Sequence, residues 1–383
     1  MGRESGVSGT PVPFTSLPAI QHAVGMATFK LDALVHPIVQ APMGGGPSTP
    51  ALAAAVSAAG GLGFLAAGYQ TLEAVRHDLE ELQSLLRGTA PCGVNVFAPP
   101  AHGAGAVDVA AYAERLRAET ARRGVALGTP RWDDDRYAEK LELVCAERVP
   151  VVSFTFGCPR PAEVERLHAS GSAVWVTATA PSDARTAQRA GADAVIAQGV
   201  EAGGHRGGFD EDGPGDIGLL ALLQLVRATV GDGLPLVATG GVATGRAVAG
   251  VLAAGAAAAQ LGTAFMLCPE AATAPAHREA IGHGAAPTAL TRAFTGRSAR
   301  GISNRFLREH SAHAPSAYPE VHHLTAPLRA AARAGGDIDG FHLWARQAYP
   351  LAEPLPAAEV VARLADEARA ALAAATRRFG PSR

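Results

Sequence analysis

A chain of 383 residues, 48% of them hydrophobic, can bury a large core and is long enough for one big domain plus a smaller one. Its formal net charge of -2 and its lack of any basic block exclude nucleic acid and an anionic membrane surface as expected partners, which leaves a small molecule. Cys92, Cys145, Cys158 and Cys268 form no CxxC pair, which argues against a zinc ribbon or disulfide scaffold and for free thiols in a reducing cytoplasm.

Residues 1–28 carry one early arginine, Arg3, with no apolar run after it, so they are expected to be a flexible arm and not a secretory signal. From residue 36 onward eight short apolar runs recur: Pro37 to Pro42, Leu62 to Ala67, Gly93 to Phe97, Val151 to Phe156, Ala173 to Ala178, Ala194 to Gln198, Leu236 to Thr239 and Ala259 to Phe265. Each is bordered by Gly, Pro, Ser or Thr and separated from the next by helical stretches, as parallel strands covered on both faces would be. The pattern predicts an α/β fold, a (β/α)8 TIM barrel over residues 29–270. A doubly wound sheet is the alternative, but no first strand runs into a GxGxxG turn.

The crossover at 98–150 is too long for a simple connection. It is expected to hold a helix from Val109 to Arg122, a polar turn from Gly128 to Asp135 and a helix from Arg136 to Arg148, packed outside the barrel or over its mouth. Ala247 to Leu267 is apolar enough to raise membrane insertion, yet its Ala/Gly content and Gln260 favour a buried helix followed by a strand. Residues 271–354 are expected to form a smaller, mostly helical substrate-side region. Within 355–383, Val360, Val361, Leu364, Ala368 and Leu372 fall at helical spacing and predict an amphipathic helix packed back on the barrel.

In a parallel barrel all strand C-termini open on one face, so residues distant in sequence converge there. The stretch Gln198 to Gly208 follows a buried run and carries Gly203, Gly204, Gly207 and Gly208, which let backbone lie close against a flat ligand, beside the single imidazole of His205. A surface turn that happens to hold a histidine is the alternative. The first strand ends in Gln40-Ala41-Pro42-Met43 followed by Gly44, and the third places Asn95 inside an apolar run, where loops or a ligand must satisfy it.

Gly240 and Gly241 after the seventh strand, with Gln260, Leu261, Gly262 and Thr263 at the eighth, offer backbone N–H groups and a helix N-terminus to one phosphate. A lone phosphate site without a dinucleotide fingerprint favours FMN over FAD or NAD. Gln198 and Gln260 suit an isoalloxazine edge or a ribityl chain, or else are satisfied within the barrel. The only lysines, Lys30 and Lys140, lie at no strand C-terminus, so a Schiff-base aldolase has no nucleophile. No HxH on the first strand supports a metal site, and His310, His313, His322 and His323 are expected at the surface.

Together QAPM at 40–43, NVF at 95–97, QGVEAGGHRG at 198–207, ATGGV at 238–242, QLGTAF at 260–265 and GRSAR at 296–300 with Asn304 resemble the nitronate monooxygenases, formerly called 2-nitropropane dioxygenases. The resemblance runs from about Leu31 to the C-terminal helix. It implies an enzyme that holds FMN non-covalently and oxidises alkyl nitronates with O2 to a carbonyl compound and nitrite, as a monomer or homodimer. FMN contacts carry over to Asn95, Gln198, Gly203, Gly240, Gly241, Gln260, Leu261, Gly262 and Thr263, with Ala41, Pro42, Met43 and Gly44 lining the ring.

His205 corresponds to the family histidine beside the flavin. It would donate a hydrogen bond, or an ion pair when protonated, to the nitro oxygens of a nitronate, or take the α-proton of a neutral nitroalkane. Some members carry Tyr-x3-Tyr-x3-Lys near the substrate, whereas Tyr318 here is followed by His322 and no lysine. The Gly-Gly-His turn also resembles FMN-dependent enoyl-ACP reductases, which makes an NAD(P)H-dependent flavin reductase the alternative. The Arg297, Arg300 and Asn304 segment is either a structural turn tying the C-terminal region to the barrel or a source of charge for the substrate anion.

Overall fold

The computed structural model describes residues 28–99, 106–210, 216–378 and 380. The arm expected at 1–28 lies outside them except for its last residue. In chain order the strands are β1 (Ile38–Gln40), β2 (Gly63–Ala66), β3 (Cys92–Phe97), β4 (Val151–Thr155), β5 (Ala173–Ala178), β6 (Ala194–Gln198), β7 (Gly204–His205), β8 (Leu236–Thr239), β9 (Ala258–Leu261), β10 (Thr288–Thr291) and β11 (Ala299–Ile302). Eight of them form one sheet of neighbours β1-β9-β8-β6-β5-β4-β3-β2, and a parallel bridge between Val39 and Leu62 joins its two ends into a barrel. All its pairings are parallel, and helices cross over outside, as the alternating apolar runs require.

Two departures from the expected strands have local causes. The last run stops at Leu261 instead of Phe265, because Gly262 turns the chain and Thr263–Phe265 closes into a 3-10 turn with Phe265 N–H bonded to Gly262 O at 2.9 Å. The glycine-rich stretch expected to be a turn contains β7, which pairs with β11 so that His205 lies opposite Ala299 and Gly204 opposite Arg300. With β10 these make a small antiparallel sheet above the barrel.

The barrel's lower interior is packed. Trp175 is fully buried there, tilted against Phe64 at 5.7 Å and capped from below by Phe29 at 6.4 Å. A second core lies between the sheet and the surrounding helices. Ala247 to Leu267 becomes a helix over Gly245–Ala253 and then β9, and no helix among the described residues is long and apolar enough to cross a membrane.

The insertion folds as helices Ala106–Arg115 and Arg117–Arg123, and then Tyr137–Ala146. Its first part packs against the helix Glu320–Ala334, sharing a core of Tyr112, Leu116, Phe294, Phe306, Val321 and Leu328, while Tyr112 Oη donates to Ala293 O at 2.7 Å. The final helix, Ala357–Arg378, buries Val360, Val361, Leu364 and Ala368 against the helix Gly245–Ala253.

Candidate active site

Above the filled lower half of the barrel, a cavity of about 320 Å³ lies at the C-terminal rim. Ala41, Pro42, Met43 and Gly44 after β1, Asn95 on β3, Gln198 on β6, Gly203 and His205, Gly240 and Gly241 after β8, and Gln260, Leu261, Gly262 and Thr263 around the end of β9 all line it. The opposite wall comes from the C-terminal region, including Thr295, His322, Arg329, Trp344 and Arg346.

Most rim amides are spent on shaping loops. Gln198 Nε2 donates to His205 O at 3.1 Å and its Oε1 accepts from Gly207 N at 2.8 Å, so one side chain fastens both sides of the Gly-Gly-His stretch. Gln40 does the same for the first loop: its Oε1 accepts from Phe64 N at 2.9 Å, and its Nε2 donates at 2.9 Å to Ser48 Oγ, which itself takes the Met43 N–H at 2.8 Å. Asn95 Nδ2 reaches Ser153 Oγ and Thr155 Oγ1, each at 2.9 Å, so neighbouring strand β4 answers the buried amide. Gln260 differs, for its Oε1 is buried without a hydrogen-bond partner among the described residues.

Close approach explains the glycines that matter most. A Cβ on Gly203 would lie 2.5 Å from Ala345 C and Arg346 N, so only glycine lets the cap descend onto this turn. Gly240 has φ +111, a conformation L side chains rarely adopt, which turns the chain sharply after β8.

His205 Nε2 lies 2.9 Å from Thr295 Oγ1, and that hydroxyl is placed to donate onward to Arg297 O at 3.3 Å. That hydroxyl can donate either to the carbonyl or to Nε2, and the second arrangement puts the ring proton on Nδ1. Phe156, Trp344 and Tyr318 surround the ring at 5.8, 5.4 and 6.2 Å. Burial, then the charges of Arg297 and Arg329, push its pKa down to about 3, so the group is neutral imidazole at neutral pH.

The arginine segment turns out to be structural. Arg297 Nε donates to Arg206 O at 3.1 Å, another of its nitrogens donates to Gly208 O, and the guanidinium lies 4.1 Å over the Phe156 ring. Arg300 Nε donates to Val200 O at 2.9 Å and a second nitrogen to Thr288 Oγ1 at 3.2 Å. Asn304 caps the helix Arg305–His310 by accepting from Leu307 N at 3.0 Å, while its Nδ2 holds Ile338 O and Phe341 O. These side chains tie cap to rim and do not face the substrate as free charges.

The surface expectation for the later histidines holds for His313, which is exposed, and not for the other three, the His323 side chain being 16% exposed. His310 is buried beside Glu119, at 3.6 Å. His322 stacks on Tyr69 at 4.3 Å and lines the cavity, with burial and then Arg329 lowering its pKa to about 2. Polar composition misled here, because the helix Glu320–Ala334 lays its Val321/Leu324/Leu328 side on the cap core and its His322/Arg329 side on the cavity. Glu119, Glu309 and His310 cluster tightly enough for a metal, but Arg305 already fills that position, bonded to both Glu119 oxygens at 2.6 and 2.8 Å.

Thr295, Arg329, Trp344 and Arg346 were not found by sequence reasoning. The one signal was a charge, Arg346, set directly after the apolar run Phe341-His-Leu-Trp-Ala345. Among the described residues no Asp or Glu lines the cavity, whereas Arg329, Arg333, Arg346 and four histidines do. Such a wall receives anions.

These features define a (β/α)8-barrel enzyme with a cofactor-sized rim cavity, a neutral imidazole on its wall and a cationic lid. A family profile described as nitronate monooxygenase matches residues 27–367. A Pseudomonas aeruginosa nitronate monooxygenase is 43% identical over 356 residues, covering 89% of this chain and 98% of that protein. The structure of a nitroalkane oxidase from Streptomyces ansochromogenes superposes with a TM-score of 0.86 at 50% identity, covering 90% of this chain and 99% of the other. FabK from Thermotoga maritima is more distant, with a TM-score of 0.70 at 27% identity over 91% of this chain and 97% of its own. The chain belongs to the nitronate monooxygenase family and is an oxidoreductase.

Proposed function

We propose that this protein binds FMN in the rim cavity and uses O2 to oxidise alkyl nitronates to a carbonyl compound and nitrite. The observation that carries the reading is a cavity wall that, among the described residues, holds no acid and carries a neutral His205 beside a glycine-lined cradle. The residues fit the cofactor. Gln260 Oε1 lacks a donor, which the N–H of a flavin's pyrimidine edge or a ribityl hydroxyl supplies, and the backbone N–H groups around Gly240, Gly241, Gly262 and Thr263 suit its phosphate. When bound, FMN would accept the substrate's electrons and pass them to O2.

The protein's own part is to bind and orient the anion. A base with pKa about 3 is poorly matched to removing an α-proton at neutral pH, so the substrate enters already ionised. Where Thr295 donates to Nε2, the neutral ring carries its proton on Nδ1 and donates it to a nitro oxygen, and the anion's charge raises the imidazole's proton affinity in place. Phe156, Tyr318 and Trp344 enclose the ring and keep water from competing for that bond. All four cysteines are free, which supports a reducing cytoplasm.

The structural likeness to FabK keeps the flavin reductase alternative open to direct comparison. Purified protein is expected to show a flavin absorption band and to consume oxygen on an alkyl nitronate. Rapid anaerobic bleaching by NADH or NADPH, with no oxygen uptake on any nitronate, would favour the reductase.

A further inference from the structure

Arg346 stands apart from the other arginines of the cap. Arg297, Arg300 and Arg329 each donate to two acceptors, whereas none of the three guanidinium nitrogens of Arg346 has a hydrogen-bond partner among the described residues. The residue is 3% exposed and lines the cavity. A buried guanidinium without an anion is costly, and the fold nevertheless pins it: Arg346 N–H donates to Thr263 Oγ1 at 3.3 Å, and Gly203 lacks a side chain where Ala345 and Arg346 press down. Among the described residues nothing answers the charge, so an anion brought into the cavity is the partner this guanidinium is short of.

Position decides which anion. Thr263 begins the turn after β9, next to Gly262 and facing the Gly240–Gly241 turn, the backbone suited to a phosphate. Arg346 is thus held on the Thr263 side of the cavity, beside the backbone suited to a phosphate.

We propose that Arg346 is the counter-charge for the terminal phosphate of the flavin, and that through it this chain selects FMN over riboflavin. The proposal rests on the flavin reading above. The guanidinium pairs two nitrogens with phosphate oxygens while the rim N–H groups take others, a geometry lysine reproduces only as a point charge.

The test is titration of flavin-depleted full-length protein with FMN and, separately, with riboflavin, read by quenching of flavin fluorescence, for wild type, R346Q and R346K. The expected result is an FMN Kd raised about tenfold to hundredfold in R346Q, a riboflavin Kd unchanged, and partial rescue in R346K. Thermal melts of the flavin-free proteins check folding, and R346Q, having lost a buried unpaired charge, should melt no lower than wild type. Equal weakening of both flavins overturns the proposal in favour of a shape role. An unchanged FMN Kd with a raised KM for nitronate overturns it in favour of a substrate contact. Wild type that binds riboflavin as tightly as FMN removes the phosphate assignment and spares the flavin reading, whereas wild type that binds neither removes both.

Discussion

The barrel rim and the cap above it build one cavity by opposite means. On the rim, Gln40, Asn95 and Gln198 spend their amides on neighbouring strands and loops, and shape is the product. On the cap, Arg329, Arg333 and Arg346 bring charge to the cavity, and His277, His322 and His342, held neutral by burial, bring ring nitrogens. The rim is suited to a planar cofactor that must fit, the cap to anions that must be held. His205 joins them, carried on the rim's turn but paired into the cap's sheet through β11 and bonded to Thr295.

Replacing the joining residue should have the largest effect. His205→Asn is expected to lower kcat/KM for a nitronate by about 10²- to 10⁴-fold while the flavin band is retained, measured by oxygen uptake and absorbance. Loss of the band instead would place His205 with the cofactor cradle. Next comes the seam itself. Arg300→Met strands the Val200 carbonyl and should cost about 1–3 kcal/mol in urea unfolding with KM for nitronate unchanged, which separates a tie from a substrate contact.

Thr295→Val removes the bond that fixes the imidazole tautomer and should reduce kcat about fivefold, through the loss of about 1 kcal/mol, with FMN affinity intact. The smallest effect is a pH slope. Burial holds His277 at about 4 in the folded chain, below the ordinary 6.5, so as pH falls below 6.5 the unfolded chain takes up a proton that the folded one refuses. Stability is therefore lost with acid and unaffected well above pH 6.5. His277→Gln should flatten the loss by about 0.7 kcal/mol between pH 7 and 6 in denaturant melts.

The rim was legible because its signals are local. A glycine turn after an apolar run marks a strand's C-terminal end, and barrel closure does the rest, bringing residues from Ala41 to Thr263 around one cavity. The cap was not, because its geometry comes from pairings across long sequence distances. Nothing near residue 205 announces that Ala299 will lie opposite it, and nothing in the polar run around His322 shows which side of its helix is covered. Strand ends blurred for a similar reason, since Thr263 to Phe265 is as apolar as a strand but follows a glycine that turns the chain.

The central claim is that a neutral imidazole and an enclosed FMN together handle a pre-ionised nitronate. The measurement closest to it is oxygen consumption by FMN-loaded protein given the same nitro compound as its nitronate and as its neutral nitroalkane at one pH. The account predicts fast uptake with the nitronate and slow uptake with the nitroalkane. Equal rates with both, or no uptake with either, would contradict it.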